Sequence, residues 1–154
     1  MADSVGSLNG YLLWQAANYW QRRMREVLAP HGVTPAQFLL LCGLHELDDA
    51  AGTAVNQVAL ARHCGTDPMM TSQVLRILET AGLLRRSIDA QDRRAVAVAI
   101  TASGASLVRR AMAGVRDADA RFHAPLAAHG DAFGDALQML CGVKPKRRVR
   151  AQSG

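Results

Sequence analysis

Apolar residues recur every three to four positions along most of the chain, and this spacing is typical of amphipathic helices. The first such segment is apolar on nearly all sides in its first half, so it needs a second burial partner, which in a small protein is often another subunit. The pattern predicts helices over Leu8 to Leu28, Pro35 to Leu47, Val55 to Cys64 and Met69 to Ala81, a loop over Asp48 to Thr53, and two further helices that are N-capped by Thr101 and Asp131 and separated by Pro125 and Gly130.

The turn between the third and fourth predicted helices carries several helix-boundary residues. Gly65 suits a left-handed C-cap, Thr66 or Asp67 suits an N-cap, and Pro68 suits the first position of the next helix. A helix, a short glycine turn and a second helix form the helix-turn-helix layout. Helical spacing directs Val55, Val58, Ala59 and Ala61 inward on the third helix and Met70, Val74, Ile77 and Leu78 inward on the fourth, which leaves Ser72, Gln73, Arg76 and Thr80 outward, with Met69 and Thr71 near the exposed start.

After Gly82 the apolar period changes from helical to alternating, which predicts two strands, Leu83 to Ile88 and Ala95 to Ile100. The polar residues 89–94 form the tip of the resulting hairpin. Four arginines and two aspartates give this hairpin an excess of two positive charges. The elements together predict a mainly α fold with a small β-hairpin wing, in which a winged helix-turn-helix is flanked by long helices.

The net charge of +5 comes from one short segment. Residues 144–150 hold five basic side chains and no acidic one, so residues 1–143 are formally neutral. A basic isoelectric point is therefore weak support for nucleic-acid binding by the folded part of the chain. We expect residues 144–154 to be a disordered basic tail, which either adds salt-sensitive affinity for phosphate groups or only increases solubility.

Several classes of protein are not expected. No apolar run reaches the roughly 18 residues of a membrane span, and the first ten residues lack the basic and apolar stretches of a signal peptide. We therefore expect a cytoplasmic protein that does not bind membranes. The three cysteines are odd in number and far apart, which fits reduced thiols rather than a disulfide framework. No phosphate-binding glycine loop, GxSxG or HExxH motif is present, so we expect neither an enzyme nor a bound cofactor.

Four segments carry a family resemblance: GVTPAQF (32–38), LETAGLLRR (78–86), DAQDRR (89–94) and ITASG (100–104). In this order they resemble the multiple-antibiotic-resistance regulator (MarR) family of bacterial winged helix-turn-helix transcription factors, over about residues 8–142. The resemblance implies a dimeric, DNA-binding transcriptional regulator. It divides the chain into an N-terminal dimerisation helix (1–34), a winged helix-turn-helix (35–101), C-terminal dimerisation helices (102–143) and the tail (144–154).

In that family the fourth helix reads DNA. An outward helix face can reach base edges in the major groove, while hydroxyls and arginines hold phosphates. Gln73 suits adenine, whereas many family members have an arginine at this position. The implied DNA-binding residues of the helix are Thr71, Ser72, Gln73 and Arg76, and the alternative is a solvated face that contacts nothing.

The resemblance assigns roles to the wing as well. Arg94 matches the arginine that family members insert into the minor groove, and Arg93 would meet phosphate. Asp92 would support the wing by pairing with an arginine, of which Arg62 is one possible partner. Outside a wing, the sequence Asp-Arg-Arg on a hairpin would more simply be a surface ion pair.

A partner subunit and an effector are also implied. Family dimers read pseudo-palindromic operators with half-sites about one DNA turn apart. Repression is the family's commoner mode, and small aromatic or phenolic ligands release many members from DNA. The expected dimer interface contains Tyr11, Trp14, Leu126, Phe133, Leu137 and Leu140, and the expected ligand crevice contains Trp14, Trp20, Arg23, Phe38 and His45; ordinary core packing is the alternative for both sets.

Two other interpretations stay open. Cys64 follows Arg62 and His63, which would allow a lowered thiol pKa and a redox-responsive regulator, against the alternative of a buried structural thiol. A winged-helix module can also bind an acidic protein through its wing arginines. Such a module would lack the steep salt dependence of DNA binding.

A metal-responsive regulator is a further alternative. Cys42 and His45 have helical spacing for two ligands of one ion. Because a sequence does not show whether other ligands converge on them, we expect no metal site. The further donors would be His63, Cys64, His123 and His129.

Overall fold

The computed structural model of the protein describes residues 5–51, 54–89 and 92–143. The predicted tail and part of the hairpin tip lie outside these residues. The described elements are mainly helical with one small antiparallel sheet, so the predicted fold class is confirmed. They are α1 (Asn9–Leu28), α2 (Pro35–Ala51), β1 (Val55–Asn56), α3 (Gln57–Cys64), α4 (Pro68–Thr80), β2 (Leu84–Ile88), β3 (Val96–Ile100), α5 (Ala102–His123) and α6 (Gly130–Leu140).

The chain turns sharply between α1 and α2. Gly32 adopts a left-handed φ of +70° after α1, which favours glycine. Thr34 and Gln37 then form a reciprocal cap, because each side chain accepts a hydrogen bond from the backbone N–H of the other. No single described helix is long and apolar enough to cross a membrane; the segments Asn9–His31 and Pro35–Asp48 meet that criterion only as a pair, which is bent by 75°.

The helix-turn-helix has the boundaries that its cap residues predict. Gly65 is the left-handed C-cap of α3, with a φ of +63°. The Asp67 carboxylate accepts hydrogen bonds of 2.9 Å from the backbone N–H groups of Met69 and Met70, and Pro68 occupies the first helical position. These contacts fix where α4 begins, and so which of its residues face outward.

Two boundaries predicted before the helix-turn-helix turn are wrong. Val55 and Asn56 do not begin the third helix, because they form β1, which pairs with β3. The Asn56 side chain caps α3 from the last position of this strand. Asp48 to Ala51 belong to α2 rather than to a loop, since no helix-breaking residue occurs before Gly52. Gly52 and Thr53, the rest of the predicted loop, lie outside the described residues.

The wing is a three-stranded antiparallel sheet with the order β1-β3-β2. Its hairpin register pairs Leu84 with Ile100 and Ile88 with Val96. The predicted N-cap of α5 is confirmed, because the Thr101 hydroxyl accepts a hydrogen bond of 3.1 Å from Gly104 N and donates one of 2.8 Å to the Gly82 carbonyl. The last strand, the start of α5 and the end of α4 are thereby joined.

The largest fully buried side chains come from six of these helices and strands and are mostly leucines. They lie on α1, α2, α3, α4 and the sheet, so the helix-turn-helix and the wing share one core. They are Met24, Leu28, Leu40, Leu41, Leu44, Leu60, Leu75, Leu78, Leu84, Val98 and Thr71.

The buried face of α4 is rotated by about one residue from the predicted one. Thr71, Leu75 and Leu78 are at most 1% exposed, whereas Ile77 is 55% exposed. Met70 and Val74 are partly buried. On α3 the buried residues are Leu60 and Ala61; Val58 and Ala59 are exposed, so the inward orientation predicted for them is wrong. The later start of α3, fixed by the Asn56 cap, places Leu60 on the inward face.

The chain forms two compact units that divide between Ala118 and Asp119, inside α5. The first unit holds the helix-turn-helix and the wing. In the second, the His123 ring lies 5.0 Å from the ring of Phe122 and 5.9 Å from that of Phe133. Asp131, the predicted N-cap of the last helix, lies in its first turn instead, since α6 already begins at Gly130.

Candidate nucleic-acid interface

The outward face of α4 carries residues that can read DNA. Gln73 and Arg76 are exposed as predicted, and Ser72 is half-buried at the edge of the face. Thr80 turns its hydroxyl back to the Arg76 carbonyl at 3.0 Å, so its capacity as a donor is used inside the helix. The face therefore presents one amide and one guanidinium to a groove, both suited to base edges or phosphates.

Met69 belongs to the same face and is missing from the predicted DNA-binding residues. Its side chain is 73% exposed, one helical turn before Gln73. A methionine here offers apolar contact of the kind that a thymine methyl group accepts. The signal for it in the sequence was the spacing of four residues to Gln73, which places both side chains on one face.

Thr71 does not lie on this face, and its predicted contact with DNA is wrong. The residue is fully buried. Its hydroxyl donates a hydrogen bond of 2.8 Å to the Asp67 carbonyl and lies 2.7 Å from the hydroxyl of Thr66. Because these bonds satisfy the hydroxyl, threonine is tolerated in the core, where it closes the turn between α3 and α4.

The C-terminal end of α4 is tied to the wing through Glu79. One oxygen of this carboxylate accepts a hydrogen bond of 3.2 Å from Arg86 N, and the other lies 3.7 Å from Arg86 Nη1. The Arg86 side chain is only 19% exposed, so it is a structural arginine of β2. Arg86 partly offsets the negative charge of Glu79, the only acid on α4, and so lowers the repulsion between this helix and a nucleic acid.

The wing tip presents Arg93 and Arg94 to solvent, as predicted. Asp92 supports the tip differently from the prediction. Its carboxylate accepts a hydrogen bond of 2.9 Å from Arg94 N, and within the described part of the chain it makes no ion pair with Arg62. A bond to a backbone group two residues away fixes only the short tip, whereas Arg62 lies on a different element. Arg62 is exposed and stays without the predicted role.

The predicted crevice residues have different surroundings in the described part of the chain. Phe38 is 7% exposed in the core and Trp20 packs against that core, while Arg23 pairs with Glu26 at 3.6 Å. His45 is partly buried on α2. A cavity of about 300 Å³ lies along α1, and of the predicted set only Trp14 lines it. Its described lining residues are Trp14, Gln15, Asn18, Tyr19, Arg22 and Arg25.

The residues expected at a dimer interface keep apolar surface in the single chain. Trp14 is 64% exposed and stacks on Tyr11 with ring centroids 6.3 Å apart. In the second unit Leu140 is 75% exposed. Leu126, Phe133 and Leu137 are partly exposed on the same unit.

Cys42 and Cys64 do not have the lowered thiol pKa of a redox sensor. Burial raises the pKa of Cys64, and the Glu46 carboxylate raises it further, so the lowered pKa considered for this residue is wrong. Burial also raises the pKa of Cys42, from 9.0 to about 12. His63, the neighbour of Cys64 in the sequence, has its Nε2 atom 3.2 Å from Oε2 of the same Glu46 carboxylate.

A metal centre finds no support in residues 5–51, 54–89 and 92–143. No group of three or more histidine, cysteine, aspartate or glutamate side chains in that part of the chain is arranged to hold an ion. The donors considered from the sequence are divided between the two units, with Cys42, His45, His63 and Cys64 in one and His123 and His129 in the other.

An exposed polar helix face at the second helix of a helix-turn-helix, beside a hairpin with two arginines at its tip, defines a winged helix-turn-helix DNA-binding protein. Comparison with known proteins identifies the family. The model of the MarR family matches residues 33–96. The uncharacterized HTH-type transcriptional regulator YdcH of Bacillus subtilis is 39% identical over 115 residues, which cover 75% of this chain and 78% of that protein. The chain therefore belongs to the MarR family and is a transcriptional regulator.

Relatives with solved structures extend the comparison. HTH-type transcriptional repressor Rv2887 of Mycobacterium tuberculosis is 34% identical over 119 residues, 77% of this chain and 82% of that protein. Its structure in complex with DNA has a TM-score of 0.66 at 32% identity and covers 87% of this chain and 98% of that one. The structure of CouR from Rhodococcus jostii RHA1 bound to p-coumaroyl-CoA has a TM-score of 0.75 at 26% identity, with coverages of 90% and 95%.

Proposed function

We propose that this regulator is a dimeric repressor that reads a pseudo-palindromic operator with α4 and the wing, and that a small aromatic ligand releases it. One observation carries the proposal: the outward face of α4 and the arginines of the wing tip are both exposed, on elements joined by the contact between Glu79 and Arg86. A rigid joint lets one protomer place a helix in the major groove and an arginine in the adjacent minor groove.

The contacts divide between the two elements. Gln73 reads a base edge, with adenine as the preferred partner, and Arg76 contacts a guanine or a phosphate. Ser72 donates to a phosphate from the edge of the face. On the wing, Arg94 enters a narrow minor groove and Arg93 binds phosphate. The Asp67 carboxylate already occupies the N-terminus of α4, so phosphate binding depends on these side chains rather than on free helix N–H groups.

Dimerisation is supported by apolar surface that a lone chain leaves in water. Tyr11 and Trp14 on α1 and Leu126, Phe133, Leu137 and Leu140 in the second unit are at least partly exposed. A two-fold symmetric dimer would cover equivalent surfaces on both protomers and present two copies of α4 to half-sites about 10 bp apart.

Repression and ligand release rest on relatives. Rv2887 is named a repressor, and CouR was solved with the aromatic thioester p-coumaroyl-CoA. An aromatic effector of this chain would have to favour a dimer whose copies of α4 are wrongly spaced for DNA, because a ligand shifts only an equilibrium between states that it binds unequally.

The proposal is tested by fluorescence anisotropy of the full chain with the DNA that flanks its coding region and with random duplex, at two salt concentrations. We expect a preference for one flanking site and an affinity that falls steeply with salt. Arg94→Ala should weaken site binding by about 1–3 kcal/mol while the dimer stays intact. Equal affinity of the wild-type protein for the flanking DNA and for random duplex would contradict the proposal, and unchanged binding by Arg94→Ala would remove this residue from the interface.

A further inference from the structure

We propose that Asn56 is a positioning residue for DNA binding, which holds the wing arginine Arg94 through a chain of hydrogen bonds from the start of α3 to the wing tip. The inference rests on the proposed function, since it concerns how that function's minor-groove contact is oriented. Asn56 was not among the residues that the sequence pointed to, and its role depends on contacts between segments far apart in the chain.

The side-chain amide of Asn56 works in two directions. Its oxygen, Oδ1, accepts hydrogen bonds from the N–H groups of Val58 at 2.9 Å and Ala59 at 3.4 Å, which caps α3. Because the oxygen faces the helix, Nδ2 points away from it and donates a hydrogen bond of 3.2 Å to Oδ2 of Asp89. Pairing of Asn56 with Ala97 in the sheet fixes the backbone from which the amide projects.

Asp89 connects Asn56 to the wing tip, because its carboxylate bonds to both. Its second oxygen, Oδ1, accepts a hydrogen bond of 3.2 Å from Asp92 N, and its own N–H donates to the Ala95 carbonyl at 3.0 Å. The Asp92 carboxylate in turn accepts from Arg94 N at 2.9 Å. The backbone of Arg94 is therefore linked to the start of α3 by three consecutive side-chain hydrogen bonds, from Asn56 through Asp89 and Asp92.

The exposed Arg94 side chain has no other restraint of this kind among the described residues, since it makes no ion pair there. A long, mobile guanidinium loses entropy when it binds in a groove, so fixing its backbone reduces the cost of binding. The same series of hydrogen bonds connects the wing tip to α3, the first helix of the helix-turn-helix. The wing and the helix-turn-helix are then held in one geometry on each half-site.

Only asparagine performs both tasks at this position. Serine and aspartate are good N-caps, but serine does not reach Asp89 as an amide does, and aspartate would place a second carboxylate against it. The two tasks can therefore be separated. Asn56→Ser and Asn56→Asp both retain the cap of α3 and lose the link to the wing.

The experiment uses the full chain and the tightest duplex that the wild-type protein selects from a randomised pool. We expect Asn56→Ser to bind this duplex about three- to tenfold more weakly and random duplex within about twofold of wild type, because the protein's charge is unchanged. Asn56→Asp should lose about tenfold or more, since the two carboxylates repel. Asn56→Ser should melt within about 4 °C of wild type, because the cap is retained and one hydrogen bond is lost.

Exchanging the amide and the carboxylate between positions 56 and 89 should restore the DNA affinity. In Asn56→Asp combined with Asp89→Asn, the new amide donates to the new carboxylate and the net charge equals that of wild type. We expect this double variant to return to within about threefold of wild-type affinity, whereas the two single variants add up to a larger loss. Failure of the rescue, with both single variants weakened, would show that the link between the two residues is not what matters.

Dependence on Arg94 completes the test. In the background of Arg94→Ala, Asn56→Ser should cost at most about twofold, because the residue that it positions is gone. An undiminished loss in that background, or no loss in the wild-type background, would overturn the inference. If instead the wild-type protein enriches no duplex, or Arg94→Ala binds as wild type, the proposed function itself fails, and that outcome is distinct from failure of the Asn56 variants alone.

Discussion

Gly104 lies where α5 meets the wing, and the structure allows the loss of stability on its replacement by alanine to be predicted. A Cβ at this position would overlap the carbonyl oxygen of Leu83 and lie 2.9 Å from Ile100 Cγ1. The Leu83 carbonyl is backbone that already accepts a hydrogen bond of 3.1 Å from Thr101 N. Room for the methyl group can therefore be made only by moving the first turn of α5 away from the sheet.

The magnitude follows from opposing terms. Overpacking against a well-ordered site costs about 1–3 kcal/mol, and weakening the hydrogen bond to Leu83 costs about 1 kcal/mol. The higher helix propensity of alanine than of glycine stabilises the variant by up to about 1 kcal/mol. We expect Gly104→Ala to reduce the free energy of unfolding by about 2 kcal/mol, which lowers the melting temperature of a chain of this size by about 4–8 °C.

Urea unfolding followed by circular dichroism at fixed protein concentration measures this change. Gly114→Ala is the matched control on the same helix, because its Cβ would meet only the side-chain atom Cγ1 of Val27, at 3.3 Å. We expect the control to lie within about 1 kcal/mol of wild type. Equal stability of the two variants would show that close packing against Leu83 does not restrict the residue at position 104.

Three further predictions concern single side chains. Thr71→Val should reduce the free energy of unfolding by about 1–3 kcal/mol through loss of its buried hydrogen bonds, whereas Thr71→Ser keeps them and loses only about 1 kcal/mol for the methyl group; equal losses in urea unfolding would contradict the role of the hydroxyl. Gln73→Ala should change the bases preferred in a selection from randomised duplex more than the affinity for random DNA, and an equal loss on both would make Gln73 a phosphate contact. The pKa of Cys42 is raised from 9.0 to about 12, so the unfolded chain releases this proton first and the free energy of unfolding should fall as the pH rises above about 9. Cys42→Ala should show a smaller decrease in the same pH series, and an identical decrease would rule out this thiol as a source.

Local signals predicted much of the fold. Gly65, Asp67 and Pro68 act within a few residues of their positions, so the turn of the helix-turn-helix could be placed from the sequence. The change from helical to alternating period after Gly82 likewise placed the wing to within one residue. Val55 and Asn56 were assigned to a helix because their strand consists of two residues and exists only through pairing with β3.

The orientation of α4 was harder to predict than its existence. Hydrophobicity favours Ile77 over Thr71 as a core residue, yet Thr71 is buried because Thr66 and the Asp67 carbonyl satisfy its hydroxyl. These hydrogen bonds offset the cost of burying the hydroxyl, and they depend on the tertiary structure. The spacing of apolar residues in the sequence therefore does not reveal them. Gln73 and Arg76 were placed outward correctly because both possible orientations of the helix expose them.

Polar contacts between distant residues could not be predicted from the sequence. The pairing proposed for Asp92 with Arg62 relied on charge alone, whereas the carboxylate accepts from the backbone N–H of Arg94 two residues away. The link from Asn56 to Asp89 spans 33 positions and carries no periodicity that a pattern could show. Contacts of this kind position the wing tip, and they explain why the exposed arginines could be predicted but their supports could not.

Whether two copies of α4 and the wing read a symmetric site can be measured by a hydroxyl-radical footprint on the DNA flanking the coding region. We expect protection of one short region with two-fold symmetry, its halves centred about 10 bp apart. We also expect Arg94→Ala to lose the minor-groove protection outside each half. Uniform protection along the duplex, or a single half-site bound by a monomer, would show that the protein does not bind DNA in this way.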